Sequence, residues 1–149
     1  MMIVIPGLIA GILAGILMGL ASEACFRIRL FKSSLILVDG EFLFRTVNMK
    51  PNNRTRYIVG SVIHLITSGV FGGIYTAATH LLALAPLSAL LVSIYFFVLW
   101  LSMLLIALPI AGQGLLGRKA GSATWLEQLI LHVVFGAGYY ISLFTFHVF

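Results

Sequence analysis

The chain has 149 residues, 61% of them hydrophobic and 9% charged, with a mean hydropathy of +1.13. Soluble domains carry about a quarter charged residues, so this composition excludes a water-soluble globular core. Nine Lys and Arg against four Asp and Glu give a formal +5. The nine basic residues sit in two loops, which points to a lipid bilayer as the partner and away from nucleic acid.

Four stretches, Ile3–Ala21, Tyr57–Leu82, Leu87–Leu108 and Thr124–His147, come close to or exceed the roughly 20 residues that a bilayer-crossing helix needs. The expected fold is one all-α membrane domain over residues 1–149, four transmembrane helices in a bundle. Arg27, Arg29, Lys32, Arg45, Lys50, Arg54 and Arg56 fall in loop 1 (22–56), Arg118 and Lys119 in the third loop, and the second loop has no charge. The positive-inside rule then predicts an N-out, C-out protein of a bacterial-type inner membrane, with loop 1 cytoplasmic. The single Cys25 excludes an internal disulfide, and its predicted side would keep it reduced. The N-terminal segment reads as a retained helix, because it lacks a charged leader and the basic residues follow it.

Helix 1 carries "GLIAGILAGILMG", with Gly7, Gly11, Gly15 and Gly19 at four-residue steps. Such a glycine zipper allows close backbone approach, either to another helix of this chain or to a second copy or larger complex. Loop 1 is too long to be a mere connector. Asp39-Gly40 between two apolar runs predicts a hairpin, and a segment lying on the membrane surface is the alternative. "MKPNNRTR" closes the loop with turn formers and basic anchors. Helices 2 and 4 share V-F-G-x-x-Y, at Val70–Tyr75 and Val134–Tyr139, which suggests a parallel repeat and puts Gly72 and Gly136 at packing positions.

Ionisable residues in a span are functional candidates by default. Counted from the loop 1 side, His64 lies about 10 Å deep and His132 about 12 Å, whereas His80 and His147 are roughly 34 Å away, near the opposite interface. Glu23, His64, Glu127 and His132, with Gln128 nearby, are therefore the candidates for a metal site. His64 and His132 are the candidates for a haem b. His64 and His80 differ by about 160° in helical phase, which disfavours a pair of haems along one interior. The structural alternative is a hydrogen bond between His64 and His132 across small-residue ridges: Gly60, His64, Ser68, Gly72, Thr76 and His80 on one helix, Thr124, Gln128, His132, Gly136 and Tyr140 on the other.

Thr124-Trp125-Leu126-Glu127 spells a capping box, in which Glu127 bonds back to its own helix start. Glu23, at a helix end, is expected to reach the head groups, and His80 and His147 the outer interface. There is no H-x-x-x-H, E-x-x-H or C-x-x-C, no phosphate loop in "LPIAGQGLLGRKAGS" and no G-x-S-x-G. Catalysis by the chain alone is not expected.

Taken in order, "GLIAG", Glu23, His64 with Phe71 and Tyr75, "LP" at 108–109, and Trp125-x-Glu127 with His132 resemble the YagU-like family of small bacterial inner-membrane proteins. That resemblance implies an inner-membrane location and no particular chemistry. The functional expectation is a non-enzymatic accessory or interaction subunit packing through its glycine stripes. The alternative is a haem- or metal-binding electron carrier, or a proton or ion permeation component, using the inner-half His and Glu residues.

Overall fold

The computed structural model describes residues 4–146, so Ile3, His147 and Phe149 lie outside the described residues. Four helices are long and apolar enough to cross a bilayer: α1 (Val4–Arg27), α3 (Asn53–Leu81), α4 (Ala89–Ile110) and α5 (Thr124–Thr145). The chain is a multi-pass membrane protein. A shorter helix, α2 (Leu35–Thr46), sits between α1 and α3, and there is no strand among the described residues.

In space the long helices follow the order α3, α1, α5, α4. On α1 and α3 the buried face is made largely of small and polar residues, and many large apolar side chains face outward. Ile9, Leu13 and Leu20 of α1 and Val133, Ile141 and Phe144 of α5 are exposed. That is inside-out for a soluble protein and normal in lipid, where apolar burial between helices gains little. The glycine stripe of α1 lies against α3. A Cβ on Gly11 would run into the Ser68 carbonyl and the Cα atoms of Gly69 and Gly72; one on Gly7 would meet Thr76 and the Gly72 carbonyl. Gly136 makes the equivalent room for Phe96 between α5 and α4.

At the end away from α2, aromatic side chains do the joining. Tyr75 meets Tyr139 edge to face, with centroids 5.6 Å apart, and Tyr95 at 5.2 Å. The Tyr139 hydroxyl donates to the Gly72 carbonyl at 2.6 Å, that of Tyr95 to Phe71 at 2.8 Å and that of Tyr75 to Pro86 at 3.0 Å. Both tyrosines of the repeated V-F-G-x-x-Y spelling therefore enter one cluster.

The hairpin expected at Asp39-Gly40 is replaced by helix α2. Ser34 caps it, accepting from the Leu37 amide at 3.4 Å. Gly40 is selected here for proximity and not for a turn: a Cβ on it would sit 2.5 Å from the Arg56 carbonyl oxygen, and one on Gly60 would strike the Ile36 carbonyl. The two glycines let α2 cross α3 backbone to backbone. Ion pairs from Glu41 to Arg45 (3.2 Å) and Arg56 (2.8 Å) edge this crossing.

The α1 helix continues past Ala21 to Arg27, where Glu23 pairs with Arg27 one turn on at 2.9 Å. The α3 helix starts earlier than Tyr57, because the Asn52 side chain caps it by accepting from Thr55 N at 2.8 Å. In α4, residues Met103–Ala107 form a π turn. Pro109 follows it, and the wider turn relieves the clash that a proline ring makes with the carbonyl four residues back. The capping box expected at Thr124 does not form. Ala123 is the N-cap and no side chain bonds back to it.

Candidate binding site

His64 leaves α3 toward α1 at the level of Gly15 and Gly19, where the absent side chains leave room for its ring. Both ring nitrogens are engaged. Nε2 lies 3.0 Å from the Gly15 carbonyl oxygen, and Nδ1 lies 2.9 Å from Oδ2 of Asp39 on α2. A carbonyl only accepts, so Nε2 carries a proton and donates. Across the Nδ1–Oδ2 contact there is room for one more proton. It makes the pair either imidazolium and carboxylate or neutral imidazole and neutral acid, and in both forms the net charge is zero. Burial pushes the Asp39 carboxyl above its usual range, while the His64 hydrogen bond and charge pull it back.

His132 is buried on α5. Its Nδ1 donates to the Gln128 carbonyl at 2.8 Å, which in the neutral ring leaves the lone pair on Nε2. No partner for Nε2 exists among the described residues. His64 and His132 do not bond to each other; they line one cavity.

That cavity, of about 320 Å³, lies where α3 and α4 stand apart. These consecutive helices scarcely approach along their backbones. The Tyr95–Phe71 hydrogen bond closes the space at one end, and α2 floors it at the other with Asp39 and Phe42. Apolar side chains such as Met18, Leu99 and Phe135 make up most of the wall. The π turn of α4 contributes Met103, Ile106 and Ala107.

The other candidates lie elsewhere. Glu127 is 5% exposed, and both its oxygens accept from the Lys32 amide at 3.1 Å, so it caps the α1–α2 connection and not its own helix. Glu23 bonds Arg27 through one oxygen and the Ser34 hydroxyl through the other, at 3.1 Å, instead of reaching free into the head groups. His80 is exposed at the far end of α3, and His147 lies outside the described residues.

Among the described residues no three His, Cys, Asp or Glu side chains could hold a metal. Glu23, His64, Glu127 and His132 do not converge, because each already bonds a different part of the chain. A haem shared by His64 and His132 does not fit either, since both nitrogens of His64 are already hydrogen-bonded, to Gly15 and to Asp39, and neither is free for iron. Gly7, Gly11, Gly15, Gly19 and Gly72 line the α1–α3 seam, and Gly136 lies in the α4–α5 seam.

One turn before His132 in α5, the Gln128 amide is fully buried with neither its oxygen nor its nitrogen bonded among the described residues, and the Thr124 hydroxyl a further turn back is likewise without a partner among them. Asp39 is the site residue that motif reading misses. Its signal is a carboxylate in an apolar helical stripe, since Leu35, Val38, Asp39 and Phe42 share one face of α2. No protein-family model matches the chain, and neither a curated protein nor a solved structure is similar to it.

Proposed function

We propose that the chain is a non-enzymatic accessory protein of a bacterial-type inner membrane that holds a membrane-soluble ligand in the slot between α3 and α4. The observation that carries this reading is the slot itself. Two helices adjacent in sequence are kept apart beside a hydrogen-bonded Asp39–His64 pair and the free Nε2 of His132. Irregular helical turns gather at functional positions, and one of them lines this space. The YagU-like resemblance agrees with the location and is part of the same proposal.

A proton-permeation role draws less support. Adding a proton to the pair would leave a net charge among apolar walls, and removing one would set a lone pair against a carboxylate. Contact with a second copy or a larger complex belongs to the proposal only through the lipid-facing sides, because the glycine stripe of α1 is taken up by α3.

The proposed orientation places α2 and the basic loops in the cytoplasm and both termini outside. Labelling of the single Cys25 in spheroplasts with an impermeant maleimide tests it: protection until the membrane is opened is expected, and direct labelling would invert the topology. Extraction of the purified protein for bound lipids tests the slot. A co-purifying lipid lost from Ala107→Phe, which fills the slot from α4, supports it. The same lipid content in both proteins would refute it.

A further inference from the structure

We infer that the slot takes uncharged lipids through a hydroxyl head group; this rests on the slot being a ligand site, as proposed above. Hydrogen-bond bookkeeping in the wall carries the inference. Asp39 Oδ2 is bonded to His64, and its second oxygen, Oδ1, has no partner among the described residues. Oδ1 accepts in either form of the pair: as carboxylate, or as the carbonyl of an acid whose proton is on Oδ2. His132 lines this slot and also the neighbouring cavity between α4 and α5, and its Nε2 accepts, because Nδ1 carries the proton toward Gln128. Both nitrogens of His64 are taken. The Thr67 and Ser102 hydroxyls of the same wall donate back to their own helices, Thr67 to Ile63 at 2.8 Å and Ser102 to Val98 at 2.9 Å. The Ser68 hydroxyl has no such bond among the described residues, but it packs against Gly15 of α1.

An occupant therefore has to bring a donor, and a hydroxyl does. A ketone or quinone carbonyl brings no donor and would face two lone pairs.

Charge narrows the class further. The His64–Asp39 pair is neutral as a unit in both of its forms, so the wall has no net charge to balance an ion. An ammonium head would be buried without a counter-charge, and a carboxylate or phosphate would meet acceptors. The space of about 320 Å³ is at the small end for ligand sites, enough for a single substituted ring or a glycerol head with its first methylenes. The tail leaves through the gap between α3 and α4, where exposed Ile66, Val70, Ile94 and Val98 mark the lipid-facing flanks of the two helices.

Two sources supply this chemistry, a quinol ring and a partial glyceride, and paired probes tell them apart. The full-length protein, reconstituted in phosphatidylcholine nanodiscs under argon, is titrated with duroquinol, duroquinone, dioctanoylglycerol, octylamine and dodecanoate, with affinities read by calorimetry. Saturable binding of duroquinol, dioctanoylglycerol or both is expected, with duroquinone at least about tenfold weaker than duroquinol if the ring is the ligand, as for the loss of one buried hydrogen bond. Binding of duroquinol alone assigns ring lipids, and of dioctanoylglycerol alone glycerides.

His132→Phe should weaken binding about tenfold or more. Ala107→Phe should abolish it, and the unfolding temperature of each variant shows that the fold persists. Octylamine, dodecanoate or duroquinone binding as tightly as the hydroxyl probes, and lost in Ala107→Phe, would overturn the hydroxyl class and leave the slot as a ligand site. No probe sensitive to Ala107→Phe would remove both.

Discussion

Along one side of α3, glycines bring the α1 backbone so close that a methyl group at Gly11 would collide with a carbonyl. Along the side facing α4, the backbones stay apart and long aromatic side chains span the distance at one end only. At Gly7 and Gly11 the first contact leaves no room for a methyl group, whereas the second leaves about 320 Å³. In lipid the hydrophobic effect does not squeeze helices together, so close packing has to be written into the sequence as small residues. Where they are missing, a gap persists, and polar groups can line it without meeting water. His64 belongs to both sides: its Nε2 is bonded into the tight seam and its Nδ1 faces the partner that floors the open one.

The difference is sharpest at the seam itself. Gly11→Leu should remove the monodisperse folded species in detergent, because its side chain would meet backbone atoms that cannot move aside. Gly69→Ala, whose Cβ would meet the flexible Ile12 side chain at 3.0 Å, should stay within about 1 kcal/mol of the parent in thermal unfolding. Equal losses in the two would mean that the seam is not the tight contact described here.

Next in size is Asp39→Leu, which leaves the buried His64 Nδ1 without its hydrogen-bond partner and should cost roughly 3 kcal/mol. The double variant Asp39→Leu with His64→Leu should recover more than half of that loss, because both polar partners are then gone. Strict additivity in the double-mutant cycle would show that the two side chains are not coupled.

Gln128→Met replaces a buried amide without partners by an apolar side chain of similar shape, and a gain of about 1 kcal/mol is expected. A loss would show that the amide is bonded to something other than this chain. Smallest of all, Ala107→Phe should shift stability by less than about 1 kcal/mol, since it enters existing space.

The four long helices could be read from apolar length alone, and their ends missed by a few residues where a side chain such as Asn52 or an ion pair such as Glu23–Arg27 extended them. Asp39-Gly40 was misread because the same dipeptide serves two purposes. In a hairpin both residues adopt the turn; here the aspartate answers a histidine on another helix and the glycine admits a carbonyl. Glu127 fits a capping box by local spelling, yet the Lys32 amide from the α1–α2 connection takes both its oxygens. Each error replaced a long-range partner with a local one. Helix adjacency decides such partners, and one sequence does not carry it.

The Asp39–His64 bond joins a helix made early to a helix made later. As the chain leaves the ribosome, α2 emerges before α3, so the Asp39 carboxyl has to wait in water until His64 has been inserted. The α2 helix therefore completes this contact only after α3 has been made. Until residue 64 has been made, α2 carries a carboxylate on its apolar face with no imidazole to meet it.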